Sequence, residues 1–351
     1  MVLKVHVLFE HSPDLRPHGC SHIRLLRPLT HPANTGAFIL SYGTRYTRAD
    51  VVIVERLWRS DISLKLAEDL IKHIRKDKAC LIYTIDDNLL DLKPEEPIRQ
   101  GFKTEQLMAI RYFAREADGI IVSTNCLKER LTRFNKKIVV VPNALDERLI
   151  GNTVVSQNSA TVNNGHKVIG YMGSYTHDAD LMMILQALRE ILRKNIGTLE
   201  MQFIRGIADQ ATMQAFNSLP IKVLEVGNNG EYPDFMPWMS KTVKWDLALA
   251  PLEDNPFTRC KSDIKFLDYS ILGIPGIYSK VLPYEESVRH LETGYLASNN
   301  TGGWVEAFEC LLNDDTLRQK LAKQAQEYVL STRTLKHCAK NWQDAIVSIM
   351  N

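Results

Sequence analysis

The chain has 351 residues, of which 45% are hydrophobic and 24% charged, the make-up of a globular protein too long for one ordinary core. A formal net charge of +2 gives no argument for a nucleic-acid partner. Six cysteines (20, 80, 126, 260, 310 and 338) form no CxxC pair, and no apolar run approaches a membrane span. Together with the absence of a leader before the first strand, this reads as a reduced, cytoplasmic protein with at most peripheral contact at the inner face of a membrane. Cys80 and Cys126 adjoin apolar runs and read as small buried hydrophobes.

Residues 1–150 alternate short apolar runs with amphipathic stretches. VLKVHVLF, AFILSY, DVVIVERL, CLIYTID, GIIVST and KIVVVPN read as strands, with helical patterns at 62–76, 103–116 and 125–134. Continuous Val and Ile, in place of alternation, means strands buried on both faces, hence a parallel sheet covered by helices. Basic side chains crowd the early part: Arg16, His18, His22, Arg24 and Arg27, then Arg45, Arg48, Arg56 and Arg59. They suit an anionic ligand or membrane surface, but read first as ordinary solvated surface. In the loop HSPDLRPHGCSH, Gly19 leaves room for a phosphate or sugar, while its histidines read as structural.

Ligands of open α/β sheets sit beyond the carboxyl ends of the strands, so polar residues just after each strand are the ones to examine. Asp86-Asp87-Asn88 follows CLIYTI. Two adjacent acids suggest a metal ligand or a base; without a third ligand at a recognisable spacing, a cluster aimed at hydroxyls fits better. Residues 151–165, GNTVVSQNSATVNNG, are polar and without period, a linker between two Rossmann-like domains at 1–150 and 166–334.

The alternation resumes with VIGYMGS, a helix over 178–195, LEMQFIRG, IKVLEVG, DLALAPL and PGIYSK. Gly173 and Ser174 end the first of these strands and suit a phosphate, with His177 or Asp178 alternatively capping the next helix. Arg205 ends another strand, placed for an anion or simply exposed. Glu253 and Asp254 close DLALAPL, facing sugar hydroxyls or making a polar loop. In KSDIKFLDYSILGIP (261–275) a helix would align Lys261, Lys265 and Asp268 on one face and Ile264, Leu267 and Ile271 on another, ending at Gly273 and Pro275. Two cations at a helix N-terminus suit a diphosphate, and a carboxylate one turn on suits a ribose diol; the alternative is a solvated charged face. The tail from 301 is helical, with stripes Trp304/Phe308/Leu311 and Leu317/Leu321/Tyr328. A last helix, 335–350, exceeds the second domain's needs and is a candidate to cross back to the first. GxSxG, HExxH and GxxxxGK[ST] are absent, against serine hydrolase, zincin and P-loop chemistry.

IDDNLL, ADGIIVST, VVPNALDERL, IGYMGSYTHDADL, WDLALAPLEDN and KSDIKFLDYSILGIPGIYSKVLPY occur in an order that resembles the group 1, or family 4, retaining glycosyltransferases of the GT-B fold, in particular the bacterial branch that builds surface polysaccharides. The resemblance spans nearly the whole chain. It implies a nucleoside-diphosphate sugar held by the C-terminal domain, a glycan or lipid-linked acceptor on the N-terminal domain, chemistry in the cleft, and no metal or other cofactor. Of the family's two glutamates, the ribose-binding second falls on Asp268, and the first, near the sugar, falls on Cys260, so either Glu253 or Asp254 stands in for it or the donor is held differently. By the same resemblance Lys261 or Lys265, with Ser262 between them and Arg205 assisting, would hold and neutralise the diphosphate, alongside Gly173, Ser174 and His177. Asp86 and Asp87 would orient hydroxyls, and Arg16, His18, Gly19 and Asn88 would meet the acceptor. Retention is attributed in this family to front-face attack, the donor phosphate taking the acceptor proton. Two other readings stand beside this one: a GT-B-fold nucleotide-sugar epimerase, and an inactive nucleotide-binding or scaffolding homologue.

Overall fold

The computed structural model describes residues 2–93, 97–151, 165–173, 177–205, 207 and 210–351. The described residues form two compact units. The first comprises Met1–Asp146, Cys260–Ser262 and Arg333–Asn351, and the second comprises Glu147–Arg259 and Asp263–Thr332. Most of the expected linker lies outside the described residues, as do Ser174 and the side chain of Arg205.

Each unit holds one sheet of six parallel strands, a two-domain Rossmann-like α/β fold. In the first, the strands are β1 (Leu3–Leu8), β2 (Phe38–Gly43), β3 (Val51–Glu55), β4 (Cys80–Ile85), β5 (Gly119–Val122) and β6 (Ile138–Val140), in the order β2-β1-β3-β4-β5-β6. In the second they are β7 (Lys167–Gly173), β8 (Leu199–Arg205), β9 (Ile221–Val223), β10 (Leu247–Ala250), β11 (Gly276–Ser279) and β12 (Tyr295–Ala297), in the order β12-β11-β10-β7-β8-β9. The chain therefore reverses its direction of travel across the sheet between β1 and β3 in one unit, and between β7 and β10 in the other. At such a switch point neighbouring connections leave toward opposite faces and open a crevice at the strand ends.

The strands form where the sequence runs apolar without alternation: Val51–Glu55 is buried throughout. Helix α1 (Leu64–Lys76) begins where the Ser63 side chain accepts from the Leu66 N–H, and α2 (Asn125–Leu131) where Thr124 does the same for Leu127. The final helix, α3 (Lys340–Met350), crosses back to the first unit. Its Trp342, Ala345, Ile346 and Ile349 join Val5, Val7, Ile53, Ile82 and Ile121 in one core. A Cβ at Gly119 would come within 2.7 Å of the Ile349 side chain, so the bare strand backbone there makes room for the helix.

Four expectations need correction. The helix read from Lys261 is shorter: α4 spans Ile264–Ile271, and just beyond it Gly273 takes a φ of +68°, which favours a residue without Cβ. Lys261 and Ser262 consequently lie ahead of the helix, and they belong to the first unit, not the second. β12 and the helix α5 (Tyr232–Thr242) have no counterpart in the sequence reading, because β12 is only three residues long and α5 carries Pro237 in its interior. Cys80 and Cys126 are half-buried, not buried. His22 and Arg24, read as solvated surface, are both buried; the Arg24 guanidinium donates to the Val141 carbonyl (2.5 Å) and Asn143 Oδ1 (2.9 Å), and lies over the Trp342 ring. A charge pattern cannot distinguish an arginine that lies on the surface from one that satisfies buried carbonyls.

Candidate functional site

In the first unit a knot of charge stands at the carboxyl ends of β1, β3 and β4. Arg56, directly after β3, is its centre. The guanidinium pairs with Glu10 beyond β1, reaches Asp86 Oδ1 and Asp87 Oδ2 beyond β4 at 3.5 Å each, and lies 3.5 Å from the Cys20 sulfur. Lys261 Nζ adds a second cation, 3.2 Å from Asp87 Oδ1. Burial pushes the Asp86 carboxyl up, while Arg56 opposes it. Glu10, His18 and Cys20 bring possible metal-ligand atoms within 4.8 Å of one another. The Arg56 guanidinium already contacts two of those three groups, Glu10 and Cys20.

Glu55 is the odd member. It is 3% exposed, and its Oε2 lies 2.7 Å from the Glu10 N–H and 2.6 Å from Ser21 Oγ. Ser21 Oγ also sits 2.9 Å from the Glu10 carbonyl, and a hydroxyl has one hydrogen to give. Ser21 Oγ is thus placed to donate to Glu55 Oε2 or to the Glu10 carbonyl; a proton on Glu55 would let the acid donate to Ser21 and Ser21 to Glu10. Burial first, and the Glu10 charge second, push the Glu55 carboxyl up to about 8. Its folded value lies above the ordinary 4.5, so the stability it contributes is complete below about pH 4.5 and is lost as pH rises through about 8. Replacing Glu55 with Gln, which keeps the donor, is therefore expected to stabilise the protein relative to wild type increasingly between those pH values. The gain should reach on the order of 3–5 kcal/mol. Urea unfolding of both proteins at pH 5 and pH 8 measures it; a difference that does not change with pH would show Glu55 to be ionised.

The other residues expected in this unit take separate places. Arg16 is exposed and pairs with Asp14. His18 is half-buried, 4.0 Å from Glu10, and burial lowers its imidazole below the usual value against the pull of Glu10. A Cβ on Gly19 would meet nothing within 4 Å among the described residues, none of which requires glycine there by close approach. Asn88 is 1% exposed and donates to Asp91, turned away from solvent. Ser262 Oγ accepts from Asn143 Nδ2 at 2.8 Å.

In the second unit the switch point lies between β7 and β10, and α4 begins just beyond it. Asp263 gives no side-chain cap to this helix. Lys265 stands in the first turn, 8% exposed, with its ammonium 5.0 Å from the centre of the Tyr171 ring on β7. One turn on, Asp268 is 4% exposed and accepts from Tyr232 Oη at 3.0 Å. Burial pushes its carboxyl up to about 7, against the Tyr232 hydrogen bond. Tyr269, on the same helix, donates to the Leu249 carbonyl and accepts from the Met172 N–H, fastening α4 to both strands of the switch point. A Cβ at Gly173 would come within 2.4 Å of the Tyr171 hydroxyl.

Around the same strand ends, His177 Nδ1 lies 2.6 Å from Asp180 Oδ2, whose other oxygen accepts from the Glu253 N–H at 2.6 Å. Burial raises the half-buried Glu253 carboxyl, and the Asp180 charge adds to the effect. Asp254 is exposed and held by both ends of the Arg259 guanidinium. The second unit thus gathers Gly173, His177, Glu253, Lys265 and Asp268 about one switch point. Sequence reasoning missed Tyr232, Asp180, Glu10, Glu55 and Arg56 as members of these clusters. For the last three a signal existed: each sits at or just past the carboxyl end of a strand, as Asp86 does.

No protein-family model matches the chain, and no curated protein matches it by sequence. Its structure is similar to that of HepE from Anabaena, solved with UDP and glucose, at a TM-score of 0.68 and 12% identity over 99% of this chain and 100% of that one. It is similar also to sucrose-phosphate synthase from Thermosynechococcus elongatus (TM-score 0.61, 13% identity, 86% of this chain, 74% of that one). A third likeness is to TarM from S. aureus, solved as a point mutant with UDP (TM-score 0.59, 12% identity, 84% of this chain, 55% of that one). The fold is the GT-B fold of such glycosyltransferases.

Proposed function

We propose that this protein is a retaining glycosyltransferase that moves a sugar from a nucleoside diphosphate to a glycan or lipid-linked acceptor in polysaccharide or glycoconjugate synthesis. The observation that carries the reading is the pairing of Lys265 with Asp268 on α4, beside the switch point of the second unit. A helix N-terminus with a lysine in its first turn favours a diphosphate, and a carboxylate one turn further suits the two hydroxyls of a ribose. HepE, solved with UDP and with UDP-glucose, makes UDP the first nucleoside diphosphate to test.

As the bond from sugar to phosphate breaks, charge grows on the diphosphate, and Lys265 and the α4 N-terminus stabilise it without reorganising. No metal is needed for that charge. Retention follows if the acceptor attacks from the face the diphosphate leaves, a phosphate oxygen taking its proton; no side chain need then act as nucleophile. Glu253 fits the missing sugar carboxylate better than Asp254, which Arg259 occupies. In the first unit Asp86 and Asp87 are the hydroxyl-orienting candidates, and His18 the acceptor contact at the margin of the charged cluster. Membrane contact rests on the exposed Arg16, Arg45 and Arg48.

Isothermal titration with UDP, GDP and dTDP tests the reading. A carboxylate must be ionised to accept both ribose hydroxyls, so affinity should fall as pH is lowered through about 7. Asp268→Asn should weaken binding by about tenfold at pH 8 and flatten that pH dependence. If no nucleoside diphosphate binds, or the variant binds as wild type does, Asp268 is not a ribose ligand.

A further inference from the structure

Cys126 and Cys260 are 134 positions apart in sequence, yet their sulfurs lie 2.9 Å apart within the first unit. Cys126 stands at the second position of α2, and Cys260 ends a short turn over Thr258–Cys260. The neighbouring backbone is already tied: Thr124 Oγ1, from the residue that caps α2, donates to the Cys260 carbonyl at 3.0 Å. Lys261 and Ser262 are held next to it, by Asp87 and by Asn143. The two sulfurs thus face each other between anchored segments, and closing to an S–S bond of about 2.0 Å asks for a movement of only about 0.9 Å. Chance proximity of two small hydrophobes would not require a threonine–carbonyl bond beside it.

We infer that Cys126 and Cys260 form a reversible dithiol–disulfide couple, a redox modification site in which Cys126 is the attacked thiol and Cys260 the resolving one. Exposure assigns the order. Cys126 is half-buried, whereas Cys260 is 0% exposed. Burial, with the Cys126 hydrogen bond second, also pushes the Cys260 thiol up, so it is the poorer first nucleophile. With a hydroperoxide as oxidant, the Cys126 thiolate takes the distal oxygen, the O–O bond breaks, and hydrogen peroxide leaves as water. Cys260 then attacks the sulfenic sulfur, its proton departing with the hydroxyl as a second water. Two thiols lose two electrons and two protons, and a dithiol reductant reverses the step. The bond would fix the residue preceding Lys261.

The test is mass spectrometry of the whole chain treated with hydrogen peroxide, reduced again, and mapped with alkylation of all six cysteines. The expected product has lost two hydrogens, joins the peptides bearing Cys126 and Cys260, and is restored by dithiothreitol. Cys126→Ser and Cys260→Ser should each abolish it, while Cys20, Cys80, Cys310 and Cys338 stay alkylatable. A sulfenic or sulfinic Cys126 beside an alkylatable Cys260, or a bridge to any other cysteine, overturns the inference. A second readout rests on the proposed transferase activity. Peroxide should lower transfer severalfold in wild type and leave Cys126→Ser unaffected; a bridge without that loss would show the couple to be inert toward the activity, without touching the chemical result.

Discussion

Replacing Arg56 with Met should destabilise the protein by about 3–5 kcal/mol, more than any other single substitution in the charged cluster. The guanidinium, whose side chain is 16% exposed, is the counter-charge to Glu10, Asp86 and Asp87 together. Removing it leaves three carboxyls at the ends of β1 and β4 with Lys261 as the cation that reaches one of them. Methionine keeps a Cβ at a residue whose φ of +37° is uncommon for any side chain, so the substitution changes charge without changing that strain. Urea unfolding at pH 7 measures the loss. Pairing the change with Glu10→Gln, which removes one of the stranded charges, should recover about 0.5–3 kcal/mol if the two residues are coupled as their contact implies. A loss under about 0.5 kcal/mol would place Arg56 among ordinary surface residues.

The second large effect is on transfer. Lys265→Met should reduce kcat/KM by about 10²- to 10³-fold with the donor that titration identifies, because a preorganised charge at a leaving diphosphate acts mainly in the transition state. Two features make Lys265 the residue to change. It is buried, so its charge is poorly screened, and it stands in the first turn of a helix whose N-terminus lacks a side-chain cap from Asp263. A denaturation curve on the same variant separates loss of function from loss of fold. Wild-type transfer by a folded Lys265→Met protein would remove this lysine from the diphosphate and leave the α4 N-terminus alone in that role.

Much of the architecture was legible because burial on two faces has a direct signature. Runs such as DVVIVE and GIIV can only be covered on both sides, and the intervening amphipathic stretches supply the cover. The strand-end rule likewise led to Asp86, Asp87, Gly173 and Glu253 without knowledge of which strands are neighbours. It failed where composition invited a simpler reading. Arg24 and Arg56 read as surface charge because nothing in a list of residues says that a guanidinium will find buried carbonyls or three carboxylates. Lys261 looked like part of α4 because i, i+4 spacing persists through a turn that is not helical.

The sequence by itself determined the class of fold, two parallel-sheet units, since alternating apolar strands and amphipathic helices admit few other packings. It determined also that Lys265 and Asp268 share a helix, because three residues is one turn wherever that helix sits. Only the tertiary structure decided that Lys261 belongs with Asp87 and not with Lys265, that Glu55 is buried against Glu10 and Ser21, and that Cys126 faces Cys260. Each of these depends on which strand ends and turns are brought together across tens of positions. Burial then sets the ionisation of whatever meets there, and neither quantity is carried by local sequence.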